Sequence, residues 1–426
     1  MKKKFQEIDG VLYNLDGDAV FTKKNKKDYT LLVPSMCDVH FKLLQGLLTS
    51  FNYNVELLNK TDSKEVSDVG LKYVHNDTCY PATLVIGELI QAVQSGKYDT
   101  HKLALVISQT GGGCRASNYL FLLKKALKKA GFGYIPVLSF NFNGLDTQPG
   151  FKFSLTQFYS MLKCVLYGDL ITSLKNQCEP YEKNSGETVK LVEYWVQVLC
   201  NEFNEKGKMT FAHMKKNFNN IISSFEKLEL INKNKVKVGI VGEIFIKYSA
   251  LGNNELEKFL VNNDAEVVVP GLTDFLLYCI YNNVLDFKLY GMKFVKAKLS
   301  KLFYKFILSK QKTIQQYMAK SKFTPISTFD ETLKSKDGVI SEGVKMGEGW
   351  LLTAEIVELI KSGTNNVIIA QPFGCLPNHI VGKGMMKKIK ELLPDANIIA
   401  IDYDASQSRV NQENRIRLML SNAKLD

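Results

Sequence analysis

Along the first third of the chain, short apolar runs alternate with longer stretches in which apolar residues recur every three or four positions. Residues 29–36 (YTLLVPSM), 54–58, 103–108 and 134–140 are runs of the kind that form buried strands. Between them, residues 39–48, 83–93 and 118–130 carry helical spacing. Pro81 suits the first turn of the second of these helices, because its missing N–H would be unpaired there in any case. Alternation of strand, helix and strand predicts a parallel sheet in a doubly wound α/β domain, whose ligands gather beyond the carboxyl ends of the strands.

Residues 153–231 are mainly helical in pattern, with a polar break at 176–186, and read as a bridge. The α/β rhythm then restarts. Strands are expected at 236–243, 265–270, 366–372 and 397–403, and helices at 254–263, 349–361, 376–393 and 409–420, with a long helical insert at 274–320. No short-period repeat is present. The predicted fold class is therefore α/β: two Rossmann-like, doubly wound lobes with helical insertions, divided as residues 1–150, a helical bridge 151–232, and a second lobe 233–426. A chain of 426 residues is too long for one ordinary core, and 45% apolar residues suffice to fill two.

Charge and termini narrow the class. No apolar run reaches the length of about 18 residues that a membrane span needs, and Met1-Lys2-Lys3-Lys4-Phe5-Gln6-Glu7 lacks the apolar core of a signal peptide. A soluble, cytoplasmic protein without a membrane partner is expected. The net charge is +12, but lysines at 23–27, 124–129, 293–312 and 383–390 fall mostly on helix-like stretches, where they ordinarily form solvated faces. The alternative is attraction to nucleotides, coenzyme A phosphates or an acidic partner protein. Neither an aromatic-studded RNA platform nor a zinc finger is present, so no nucleic-acid partner is expected. Thr110-Gly111-Gly112-Gly113-Cys114-Arg115 lacks the Gly-Lys-Ser/Thr ending of a phosphate-binding loop, and Val241-Gly242-Glu243 has one glycine where a dinucleotide fingerprint needs three. No ATP site is expected.

The eight cysteines then divide by position. In a reducing compartment they do not read as a disulfide framework. Cys164 and Cys279 lie inside apolar helical runs and read as core; Cys200, ending a helix, and Cys178, in a polar loop, read as inert. Cys79, Cys114 and Cys375 instead occupy junctions between elements. A thiol at a helix start is well placed to be a thiolate, since the unpaired N–H groups of the first turn favour negative charge. Three such thiols suggest a metal centre, and the absence of a Cys-x-x-Cys run disfavours a ferredoxin-like cluster or a zinc ribbon. Its ligands would converge from both lobes, in the cleft between them. Cys37 would either complete a four-thiolate site or line that cleft. His379, one helical turn after Cys375, would be a surface residue or point at the centre. Arg115 would supply positive charge to an anionic ligand or pair with a local carboxylate, and Asp38 and His40 are too generic to assign.

These phrases resemble a known family. Cys79-Tyr80-Pro81-Ala82, Gly113-Cys114-Arg115 with Tyr119 after it, and Gly374-Cys375-Leu376-Pro377-Asn378-His379 are similar to the cluster-binding motifs of the 2-hydroxyacyl-CoA dehydratase, benzoyl-CoA reductase and double-cubane cluster protein superfamily, above all its uncharacterised activase-associated members. Val33-Pro34-Ser35-Met36, Gly242-Glu243-Ile244 with Asn253-Asn254, and Ile401-Asp402-Tyr403-Asp404 with Asn411 and Arg415 add to the likeness, which spans residues 30–420.

The resemblance implies an iron–sulfur protein in which Cys79, Cys114 and Cys375 hold a cluster between two lobes. It implies a separate ATP-hydrolysing activator that delivers one electron at very low potential, with a homologous subunit or a second copy as a further partner. In the dehydratases an open iron takes the thioester carbonyl of a CoA substrate, and the electron produces a ketyl radical that expels the hydroxyl. A double-cubane cluster needs more thiolates, so a simple [4Fe-4S] cluster is preferred. Cys37 stands where many relatives have glycine; as a fourth ligand it would close the open site. The expected activity is reduction or dehydration of a small substrate. The alternative is a non-catalytic electron-transfer or cluster-carrier subunit. A zinc-stabilised or nucleotide-binding α/β protein is a third reading.

Overall fold

The computed structural model describes residues 5–75, 77–108, 114–140, 148–205 and 210–423, apart from the side chains of Arg115 and Phe140. Contacts divide the chain into two compact units, Met1–Met161 with Tyr248–Asn254 and Asp404–Ser406, and Leu162–Lys247 with Glu255–Tyr403 and Gln407–Asp426. The helices Glu187–Glu202 and Phe211–Glu226, expected as part of a bridge, thus group with the second unit.

The first unit opens on an antiparallel hairpin, β1 (Gln6–Ile8) and β2 (Val11–Tyr13), too short to be legible as period-two alternation. β3 (Thr30–Pro34), β4 (Asn54–Leu58), β5 (Leu103–Ser108) and β6 (Val137–Phe140) then form an all-parallel sheet in the order β4-β3-β5-β6. Its core sets Leu31, Val33, Ala104, Val106 and Leu138 against Leu48, Tyr53 and Phe151. Between β4 and β5 run two helices, Ser63–Tyr73 and Tyr80–Gln94, the first of which the apolar pattern does not announce. Its buried positions are Val66, Ser67 and Gly70, a contact face made of small residues. Asp62 starts it by accepting the N–H groups of Lys64 and Glu65 at 3.1 and 3.0 Å. The two helices cross backbone to backbone: a Cβ at Gly70 would collide with the Thr83 carbonyl, and one at Gly87 with that of Val66.

The second unit carries the other sheet. β7 (Val236–Gly242), β8 (Ala265–Val268), β9 (Asn366–Pro372) and β10 (Asn397–Tyr403) are all parallel, in the order β10-β9-β7-β8. Beside it lies the helix Trp350–Lys361, buried along most of its length, whose Leu352, Ile356 and Leu359 join Val241, Val367, Ile369 and Ile398 in one core. The insert between β8 and β9 is broken into two helices, Leu272–Tyr290 and Phe294–Met318, at Gly291, whose φ of 66° only glycine adopts readily. Among the described residues, no helix is long and apolar enough to cross a membrane.

Counted within its own unit, each sheet has the strand order 2-1-3-4. The connection direction reverses between the first and third strands, and this is the switch point at which open α/β sheets place ligands. Both sheets are consistent with a Rossmann-like α/β fold, as expected.

Candidate functional site

In the first unit, β3 ends at Pro34 and leads to Cys37, which stands immediately before the helix Asp38–Ser50 and is 4% exposed. Asp38 pairs with Lys42 on the solvent side at 2.8 Å, an exposed pair of the kind that adds little stability, while His40 is buried. Cys79 stands at the N-terminal boundary of the helix Tyr80–Gln94 with Pro81 in the first turn, as the sequence predicts. Its Sγ lies 2.9 Å from the Tyr119 hydroxyl, and Tyr119 is itself buried. Tyr119 begins the helix that follows Cys114, so a single hydroxyl links the two cysteine segments. Cys114 is partly buried and extended, and its carbonyl accepts both the N–H (3.2 Å) and the hydroxyl (2.7 Å) of Ser117. Gly111, Gly112, Gly113 and the Arg115 side chain lie outside the described residues.

The second unit builds a more enclosed site. Cys375 precedes the helix Leu376–Val381, again with Pro377 in the first turn, and is partly buried. Asn378, fully buried, donates from its side chain to Cys375 Sγ at 3.3 Å and to Glu348 Oε2 at 3.0 Å. The other Glu348 oxygen accepts the N–H of Ile244 at 3.1 Å. Glu243 follows the end of β7, where Gly242 lies so close to β9 that a Cβ would overlap the Ala370 carbonyl; that carbonyl accepts the Glu243 N–H at 3.1 Å. The Glu243 side chain accepts the N–H of Ile246 at 2.8 Å. Below them Lys247 and Glu355 form a buried ion pair at 3.0 Å.

The electrostatics follow from enclosure. Burial, reinforced by the neighbouring Glu348 charge, pushes the Glu243 carboxyl up to about 8, and Glu348 is shifted upward by burial as well. Burial pushes the Cys375 thiol up to about 12; the N–H groups of Asn378 oppose the shift, while Glu348 and Glu243 add to it. Burial thus favours the protonated forms of Glu243 and Cys375, although the Lys247 charge opposes the shift at Glu243. A metal centre would reverse that preference at sulfur, since a coordinating thiol is deprotonated outright, and the Asn378 N–H aimed at Sγ is the kind of donor that tunes a ligating thiolate. The donor chemistry at Cys375 therefore fits thiolate ligation, provided the adjacent carboxyls hold protons. Among the described residues, no group of three or more His, Cys, Asp or Glu side chains stands ready to hold a metal ion.

His379 turns back onto its own loop. Its Nε2 accepts the Gly374 N–H at 3.2 Å, and it lies 3.9 Å from Asp402, which also accepts from Gln371 at 2.7 Å. That arrangement supports the loop carrying Cys375. The remaining cysteines sort differently from expectation at two positions. Cys164 is core as expected, and Cys200 is partly buried on its helix. Cys178, however, closes the helix Leu155–Cys178, which reaches only into the start of the polar stretch read as a loop, and is fully buried. Cys279 is exposed on the helix Leu272–Tyr290 rather than in the core: that helix is apolar around most of its girth, so periodicity does not reveal its inner face. Glu348, which the sequence reading passed over, sits in a glycine-flanked segment with no apolar period to mark it.

Comparison with known proteins finds no matching family model, no matching curated protein and no matching solved structure.

Proposed function

We propose that this chain is an iron–sulfur protein of the kind it resembles, in which Cys79, Cys114 and Cys375 hold one [4Fe-4S] cluster in a cleft between two lobes. The reading is supported above all by the equivalent positions of Cys114 and Cys375, each beyond the third strand of its sheet at the switch point. An ATP-hydrolysing activator feeds the site, and the substrate is a small molecule such as a CoA thioester, reduced or dehydrated there. The chain works as a homodimer or with a homologous subunit. Bound in this site, the cluster supplies single electrons at low potential. The chain's own residues set the conditions: Tyr119 and Asn378 interact with the sulfurs of Cys79 and Cys375, and burial shifts the Glu243 and Glu348 carboxyls upward, toward the uncharged form beside a reduced centre. A double-cubane cluster is disfavoured, because only Cys37 is at hand beyond the three thiols.

The test is anaerobic purification followed by reconstitution with iron and sulfide. A brown protein with about four irons per chain is expected, and colourless, iron-free protein after reconstitution overturns the reading.

A second reading, a non-catalytic electron-transfer or cluster-carrier subunit, draws on Cys37, which follows the first strand beside the same switch point. Cys37→Ser lowers iron content and alters the paramagnetic resonance signal under this reading, and leaves both unchanged under the first.

A further inference from the structure

The helix Phe294–Met318 is apolar on two faces. One face, with Ala297, Tyr304, Ile307, Leu308 and Ile314, is buried. The other carries Val295, Leu299 and Leu302, which are 69%, 62% and 63% exposed, and continues to Phe306 at its edge. The spacing of these four positions is 4-3-4, the stripe by which one helix seats against another in a coiled coil. Isolated exposed apolar residues need no explanation, but a contiguous stripe of them does.

The flanks of the stripe are all of one sign where they are charged. In the heptad frame set by Leu299 and Leu302, one flank is Lys298, Lys305 and Lys312, and the other is Lys296, Phe303 and Lys310. Residues 287–329 contain ten lysines and no Asp or Glu. Lys312 reaches Asp330, and Lys310 lies over the rings of Phe211 and Phe306, which bounds the stripe at that end. Lys296, Lys298, Lys301 and Lys305 have no ion-pair partner among the described residues.

We infer that this face docks an amphipathic helix of a partner protein, with leucine-like residues along its seam and Asp or Glu on both flanks. Charge decides against a second copy of this chain. A second copy would set lysine against lysine in either orientation: the 298-305-312 flank meets itself when the helices are antiparallel and meets Lys296 and Lys310 when they are parallel. Phe294 and Phe303, 59% and 49% exposed, widen the apolar surface beside the seam, but the 4-3-4 register is the one that interdigitates with a second helix, and an anionic bilayer, which the lysines would also attract, needs no such register. An acidic-flanked helix satisfies both the seam and the charge, and the lysines would also speed its encounter.

The test uses the full chain and two synthetic helical peptides of about three heptads, with leucine at both seam positions and either Glu or Lys on both flanks, read by fluorescence anisotropy. The Glu-flanked peptide should bind at least about tenfold more tightly than the Lys-flanked one and weaken as salt screens the flanks. The double variant Leu299→Gln, Leu302→Gln should lose that binding by at least about tenfold, with unchanged circular dichroism because both side chains are exposed. Equal binding of both peptides, or binding of neither, overturns the inference. So does binding to phosphatidylserine-containing vesicles, or self-association in sedimentation, that the double variant abolishes.

Discussion

Cys114 and Cys375 hold the same place in two sheets of one strand order: each follows the third strand, the one hydrogen-bonded to the first across the switch point. The first strands end differently, β3 running to Cys37 and β7 to Glu243. Where the first unit offers a buried thiol, the second offers a carboxyl that burial keeps protonated. If the two third-strand cysteines are paired ligands, their loss should be equivalent. Cys114→Ser and Cys375→Ser should each bring the iron bound after reconstitution from about four per chain to below about one, and Cys79→Ser should do the same. Cys200→Ser should leave it unchanged, and iron analysis with the visible spectrum decides.

The Asn378 side chain bonds both Cys375 Sγ and Glu348. Asn378→Ala leaves a buried sulfur and a buried carboxyl oxygen without that donor, which should cost about 1–3 kcal/mol in denaturant unfolding of the apo protein. Asn378→Asp keeps the shape but adds a third carboxyl to a pocket that already raises two. It should therefore be more destabilising than Ala at about pH 8 and less so at about pH 5, where carboxyls in such a pocket are protonated.

The central strands 103–108 and 366–372 were legible because they are buried along nearly their whole length. The strands at 54–58, 103–108, 366–372 and 397–403 were placed with the bounds the structure gives them, the first and last of these being edge strands. What the pattern missed was carried by other forces. The helix Ser63–Tyr73 is held by an Asp62 cap and a glycine crossing, neither of which has an apolar period. The expected single helix after Cys375 breaks at Gly382, where a Cβ would meet the Asn378 carbonyl. Among candidate site residues, Cys79 and Cys375 stand two residues before a proline and Cys114 at a strand-to-helix junction, and each lies immediately before a helix. Glu348 was invisible because its role depends on Asn378 and Ile244, remote in sequence.

The crossing of Ser63–Tyr73 with Tyr80–Gln94 also positions Cys79, at the start of the second helix. Gly70→Ala places a methyl against the Thr83 carbonyl, and the helices must separate to admit it. A loss of about 1–3 kcal/mol is expected from overpacking, together with a faster reaction of Cys79 with iodoacetamide, as its contact with Tyr119 loosens. Mass spectrometry of the labelled peptide reads the second effect. An unchanged labelling rate in a destabilised protein would uncouple the crossing from the cysteine.

Glu88 gives the first unit a pH dependence of its own. It is 2% exposed on the helix Tyr80–Gln94, and one oxygen accepts the Lys60 N–H at 3.2 Å. Burial pushes its carboxyl up to about 7 from an ordinary 4.5, and the Lys60 N–H and charge offset only part of the shift. Because the folded value is the higher one, the folded state keeps a proton that the unfolded chain releases. The stabilisation is complete below about pH 4.5 and is lost as pH rises through about 7. Glu88→Gln keeps the shape and the acceptor without the charge. Relative to the native chain it should be nearly neutral at about pH 4.5 and stabilising by up to about 3 kcal/mol above pH 7. Urea unfolding of both proteins across that range isolates the effect, since every other titrating group is common to the pair. A difference that does not vary with pH would mean that Glu88 titrates in the folded protein as it does in the unfolded chain.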